Sequence, residues 1–164
     1  MPIRSKHTVA LLSLCAFTLC GAVQAQDTPE PFELKAQGID GRPYAADTVR
    51  GKVAVVFYWS TSCPVCRDSL PELRANLAGW RTKPFKLLTV NVDKKASDWV
   101  DYEKVLTQLQ VPSNGVITVR QSETTPAPTK LPLTLLVDMQ GKIVARYEGR
   151  VSPEVWDRVS DLLP

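Results

Sequence analysis

Residues 57–73 read FYWSTSCPVCRDSLPEL, and the fold turns on what Cys63 and Cys66 do there. A C-x-x-C can be half of a zinc site, a redox-active dithiol or a short structural bridge. Just before it, KVAVVFYW (52–59) is a continuous β-branched and aromatic run, the pattern of a strand covered on both faces in the middle of a sheet. Ser60 to Ser62 form a polar turn. After the pair, Val65, Leu70, Leu73 and Leu77 mark one helical face as far as Gly79. Pro64 falls in the first helical turn, where proline is tolerated. Pro71 lies inside, where it removes a backbone donor and kinks the axis. The two cysteines therefore stand at a strand-to-helix junction.

The remainder of the chain narrows the choice. Its 164 residues suit one domain, and a hydrophobic content of 44% supports a real core. A net charge of +3 with both signs intermixed argues against nucleic acid or an anionic membrane surface as partner. The first residues, MPIRSKHTVALLSLCAFTLCGAVQAQD, run from basic through apolar to small, the layout of a secretory signal. Cleavage is expected after Ala25, giving a signal peptide over 1–25, a domain over 26–164 and an exported or periplasmic product. The apolar run Val9 to Leu19 is far short of the roughly 20 residues of a membrane span. Left uncleaved, the segment would give a membrane-anchored form. Bulky Leu14 and Leu19 argue against lipoprotein cleavage at Cys15 or Cys20.

Removal of 1–25 takes Arg4 and Lys6 but no acid, so the net charge falls from +3 to +1. It also takes Cys15, Cys20 and the only histidine, His7, leaving Cys63 and Cys66 as the mature chain's cysteines. A structural zinc site takes four ligands, usually from two separated pairs. Zinc here would need a second chain or carboxylates, and no metal or other cofactor is expected. A bridge over two intervening residues closes almost no loop in the unfolded chain, so it adds little as a staple. Redox chemistry is the reading that remains favoured.

Along the mature chain, IDGRPYAADTVRGK carries the turn signal Asp40-Gly41 between two short strands. FKLLTVNVD (85–93) reads as the next strand. Ser97 is placed to cap a helix running to about Gln110, with Trp99, Tyr102, Leu106 and Leu109 at helical spacing. VITV (116–119) fits a short strand and RQSETTPAPTK (120–130) a loop. LPLTLLVDMQGKIVARYEG forms a hairpin with its turn at Gln140-Gly141. SPEVWDRVSDLL is a closing helix with Ser152 at its cap, Pro153 in its first turn and Glu154 at its positive end. The order implies an α/β fold: a mixed central sheet with helices on both faces, preceded by an N-terminal β-hairpin.

This arrangement resembles the thioredoxin fold, and within it the TlpA-like branch of exported thiol–disulfide oxidoreductases, which includes the cytochrome c maturation thioredoxins. The likeness rests on PFELKAQGIDGRPYAADTVRGKVAVVFYWSTSCPVC, on Pro71 five residues after Cys66, and on LPLTLLVDMQGKIVARYEG. These blocks cover most of 31–150. The resemblance implies a nucleophilic Cys63, a resolving Cys66, a cis Pro132 beside the dithiol and a membrane electron donor. Three positions depart from the family. Phe57 stands where a buried Asp or Asn is usual. Ser62 replaces an aromatic before Cys63. RQSETTPAPTK takes the place of a helix before Pro132.

A thiolate at Cys63 would meet unpaired N–H groups and the helix dipole, which should lower its pKa below the ordinary value of about 8.5. Cys66, one turn inward, should be the more buried sulfur. Pro132 near the dithiol would leave the Leu131 backbone free to pair with an extended protein or peptide substrate, and Leu131 and Leu133 would make that rim apolar. Trp59 packs beside the site or serves the core, Pro64 shapes the motif, and Arg67 reads as a solvated helix charge. The expected activity is a protein disulfide reductase in the periplasm. The alternatives are a redox-sensing or chaperone-like binding module without turnover, and a thiol peroxidase. The last wants P-x-x-x-T/S-x-x-C, in which Ser60 fits and Val56 does not.

Overall fold

The computed structural model describes residues 29–111 and 114–164, so the expected leader over 1–25 lies outside the described residues. Eight strands form one mixed sheet. In chain order they are β1 (Glu30–Pro31), β2 (Lys35–Gly38), β3 (Pro43–Ala45), β4 (Val53–Trp59), β5 (Phe85–Asn91), β6 (Val116–Gln121), β7 (Leu133–Val137) and β8 (Lys142–Glu148). Across the sheet they run β1-β8-β7-β4-β5-β6-β2-β3. The α-helices are α1 (Pro64–Asn76), α2 (Ala96–Gln108) and α3 (Pro153–Leu162). Short 3-10 turns cover Ala46–Val49 and Leu77–Trp80.

β4 lies fourth in that order with all seven residues buried, as its unbroken apolar run demands. It pairs parallel with β5, Val53 opposite Phe85, and antiparallel with β7, Tyr58 opposite Leu133. Its side chains alternate between two layers. Val53, Val55, Phe57 and Trp59 pack with Leu70, Leu73 and Leu77, with Trp99 and Leu106, and with Val155 and Val159. Ala54, Val56 and Tyr58 pack with Phe32, Leu34 and Val49 instead.

Helical cover is therefore unequal. The crossovers β4-α1-β5 and β5-α2-β6 step the same way across the sheet, so right-handedness puts both helices on one face. α3 joins them there. The opposite face carries the 3-10 turn through Val49 and the lead-in residues Phe32 and Leu34. The Asp40-Gly41 turn forms as expected, with Gly41 at φ 79, a left-handed conformation open to glycine.

Several local expectations change. Val65 is 42% exposed. The buried apolar stripe of α1 is Cys66, Leu70 and Leu73, spaced by four and three and continued by Leu77 in the 3-10 turn, and Val65 lies one step off it. Ser97 does not cap α2; Lys95 holds the cap position and no side chain bonds there. Leu109 is 69% exposed because α2 ends at Gln108 and the chain turns through Gln110 at φ 55. Ser152 occupies the cap position of α3 without capping its N–H groups.

Candidate functional site

β4 delivers the chain to the carboxyl edge of the sheet, where open α/β sheets bind their ligands. The 60–62 turn reverses it, with the Cys63 N–H donating to the Ser60 carbonyl at 3.2 Å. Cys63 is the cap residue of α1, and its Sγ accepts from the Cys66 N–H at 3.2 Å. Pro64 follows at the first helical position, where its missing N–H costs no helical bond. The sulfurs of Cys63 and Cys66 are joined in a disulfide, with Cα atoms 5.2 Å apart.

The two sulfurs differ in access, as expected. Cys63 is partly exposed while Cys66 is completely buried against the core. An attacking or attacked sulfur must meet solvent and substrate, and an internal one need meet only its partner. The N–H directed at Cys63 and the positive end of α1 favour negative charge on its sulfur.

The other expected residues distribute unevenly. The Leu131–Pro132 bond is cis. β7 begins at Leu133 opposite Tyr58, which brings Pro132 level with the end of β4 and the start of the dithiol turn. Leu131 is half-buried and packs against the cluster that holds Cys66. Trp59 is wholly buried, its indole tilted on the Tyr102 ring at 5.4 Å, and it meets no solvent. Burial pushes the Tyr102 phenol up, partly offset by Arg67 and Arg74. Phe57 is fully buried, paired with Thr89 on β5 and Thr134 on β7. Ser62 is exposed, its hydroxyl 3.0 Å from that of Ser60. β6 runs two residues into the expected loop 120–130, taking Arg120 and Gln121, and the loop before Pro132 begins after it.

Three residues escaped the sequence reading. The Asp93 carboxylate accepts the Thr61 N–H through both oxygens, at 3.0 and 3.1 Å. Asn91, fully buried, donates to Asp93 at 2.8 Å and receives the Asp93 N–H at 3.0 Å. Arg67, expected to be a solvated charge, donates through Nη1 to the Thr61 carbonyl. The N-V-D run starting at the last residue of β5 was a latent signal for the first two, because an Asx side chain closing a strand readily bonds backbone two residues away.

A cleft of about 450 Å³ lies beside Asp93 and Arg120, and neither cysteine lines it. Exchange with a protein substrate occurs at an accessible sulfur and does not require that cavity. Among the described residues no cluster of three or more His, Cys, Asp or Glu side chains could hold a metal ion.

Comparison with known proteins agrees with this geometry. A family model described as AhpC/TSA family matches residues 25–158. The soluble secreted antigen MPT53 of Mycobacterium tuberculosis is 29% identical over 65 residues, 40% of this chain and 38% of that protein's length. A thiol:disulfide interchange protein from Bacteroides sp. superposes with a TM-score of 0.67 at 21% identity, over 83% of this chain and 90% of that one. StoA from Bacillus subtilis does so with a TM-score of 0.60 at 17% identity, over 81% and 99%. A thioredoxin family protein from Chlorobium tepidum TLS gives 0.63 at 19%, over 84% and 97%. The fold is thus thioredoxin-like.

Proposed function

The chain belongs to the AhpC/TSA family, and from that premise we propose that it is an exported thiol–disulfide oxidoreductase acting in the periplasm as a reductase of protein disulfides. The observation that carries this reading is the asymmetry of the pair: a reachable sulfur capping a helix, joined to one sealed in the core.

The chemistry runs as two displacements. With the pair reduced, the Cys63 thiolate attacks one sulfur of a substrate disulfide. A mixed disulfide forms and the displaced substrate thiolate takes a proton. The Cys66 thiol gives up its proton and attacks Cys63 Sγ, releasing the second substrate thiol. Two electrons pass to the substrate and the Cys63–Cys66 bond is made. A membrane-bound dithiol donor restores the reduced pair by the reverse exchange. The Leu131 peptide, outside the β7 ladder, pairs with an extended substrate segment, while Leu131 and exposed Val65 supply apolar contact.

The direction rests on the Pro-Val pair between the cysteines and on the family resemblance. Known potentials of such dithiols span about −270 to −120 mV, and the reducing half of that span is expected. A glutathione redox titration that places the couple near the oxidising end would overturn it. Insulin reduction by the wild-type protein, lost in Cys63→Ser, tests the activity. Turnover that survives the substitution defeats the assignment, and an inactive wild type favours a binding module without turnover. Cys66→Ser should trap mixed disulfides, whose partners name the substrates. Consumption of hydrogen peroxide in place of disulfide reduction would favour a peroxidase. Against that reading, the Ser60 hydroxyl engages Ser62 and Val56 is packed in the strand.

A further inference from the structure

The two peptide groups flanking the Thr61 Cα are gripped by opposite charges. On one side the Asp93 carboxylate accepts the Thr61 N–H, at 3.0 and 3.1 Å. On the other, the Arg67 guanidinium donates to the Thr61 carbonyl. The two grips come from different segments. Asp93 lies two residues beyond the end of β5 and is itself set by buried Asn91 at 2.8 Å, while Arg67 lies in α1, directly after Cys66. The Asp93 main chain is held in turn, since Arg120 donates to its carbonyl at 3.1 and 2.9 Å and to that of Lys94 at 2.8 Å. Thr61 stands two residues before Cys63, so the position of the reactive sulfur over its helix depends on this turn.

We propose that Asp93 and Arg67 are positioning residues for Cys63: through Thr61 they hold the reduced sulfur at the α1 terminus. This rests on the thiol–disulfide reading above. In the oxidised protein the Cys63–Cys66 bond holds Cys63 independently of the turn. After reduction that cross-link is gone, and Sγ is kept in reach of the Cys66 N–H by this turn together with the Arg67 N–H, which donates to the Cys63 carbonyl at 3.1 Å. The clamp therefore acts chiefly on the reduced form. Loosening it removes stabilisation from the dithiol and leaves the disulfide little changed, which makes the couple more reducing. It also withdraws the thiolate from the N–H that favours its charge.

The test measures equilibrium with glutathione and the pH profile of Cys63 alkylation by iodoacetamide in the reduced protein. Asp93→Ala and Arg67→Ala are each expected to shift the glutathione equilibrium about tenfold toward the disulfide, the lower end of what a hydrogen bond to a charged group contributes. Tenfold corresponds to about 30 mV for a two-electron couple. Both should move the alkylation profile to higher pH. Arg67→Lys, which keeps the charge and a donor, should recover most of the shift. Lys104→Ala, in an exposed ion pair on α2, serves as the control. Should Asp93→Ala fail to fold, Arg67→Ala, on the exposed flank of α1, carries the test. The proposal is overturned when folded variants keep both the equilibrium within twofold of wild type and the pH profile. Insulin reduction by the wild type, abolished in Cys63→Ser, shows separately whether the underlying activity stands.

Discussion

The Arg74–Glu103 pair gives the sharpest test of how the site is supported. Arg74 of α1 donates through Nη2 to both carboxylate oxygens of Glu103 on α2, at 3.2 and 3.1 Å. The side chains are 2% and 13% exposed. At the 3.1 Å separation and an effective dielectric near 20, Coulomb attraction is about 5 kcal/mol, most of it offset by the cost of taking both charges out of water. Removing one partner leaves that cost uncompensated. Glu103→Ala strands a guanidinium in the core, and such losses run at about 3–5 kcal/mol. Because Arg74 Nε already lacks a partner among the described residues, the lower end, about 3 kcal/mol, is expected. Urea denaturation should show a fall in midpoint at unchanged slope. Asp101→Ala breaks the exposed pair with Lys104 on the same helix and should cost less than about 1 kcal/mol. Replacing both core partners, Arg74→Met with Glu103→Leu, should restore most of the stability. A Glu103→Ala loss no larger than that of Asp101→Ala would refute the reasoning. The consequence reaches the site, because Tyr102 beside Glu103 is the ring on which Trp59 rests.

Other expectations follow from single residues. Burial raises the Tyr58 phenol to about 12 from its ordinary value of 10.0. From pH 10 upward the unfolded chain releases this proton while the fold retains it, so stability falls as pH rises and levels off above about 12. Roughly 1.4 kcal/mol should be lost between pH 8 and pH 11, and the difference between wild type and Tyr58→Phe in urea melts isolates it. Glu154 is held below its ordinary carboxylate value, first by the Ser152 hydroxyl and then by its own backbone N–H. Its contribution is present above the unfolded pKa and lost as pH falls through the folded one, and Ser152→Ala should move its NMR titration upward. Phe57→Ala opens a void at the centre of the sheet and should cost about 3–5 kcal/mol by thermal or urea melting, with the dithiol still formed.

Much of the fold was legible because its signals are local. The unbroken run 52–59 could sit only in a strand with both faces covered, and β4 has all seven residues buried. Asp40-Gly41 and Gln140-Gly141 announced their turns through backbone preferences that act within a few residues. The cysteine pair was legible on the expectation that residues 1–25 are removed, which leaves few thiols to explain. What stayed hidden depends on distant juxtaposition. Asp93 lies 32 positions from Thr61, and only the parallel pairing of β4 with β5 brings them together. Arg67 looked like any exposed helix cation because nothing in its neighbours reveals a carbonyl turned toward it. Val65 and Leu109 misled for a different reason. Apolar character marks a helix face only to within one residue step, and a helix end displaces that step altogether. The placement of α1 and α2 on one face follows from strand order, which no single segment encodes.

Under the proposed function, the sulfur that caps α1 is also the atom that changes bonding partner in every cycle. The Cys66 amide faces in turn a bridged sulfur, a thiolate and a sulfur bonded to substrate, three acceptors of very different strength. Its proton should therefore register the chemical state directly. In a uniformly nitrogen-labelled sample, the Cys66 cross-peak should move farther between oxidised and reduced protein than those of Leu70 or Leu73 deeper in the same helix. That one resonance would serve as an internal gauge of redox state, read without dye or electrode.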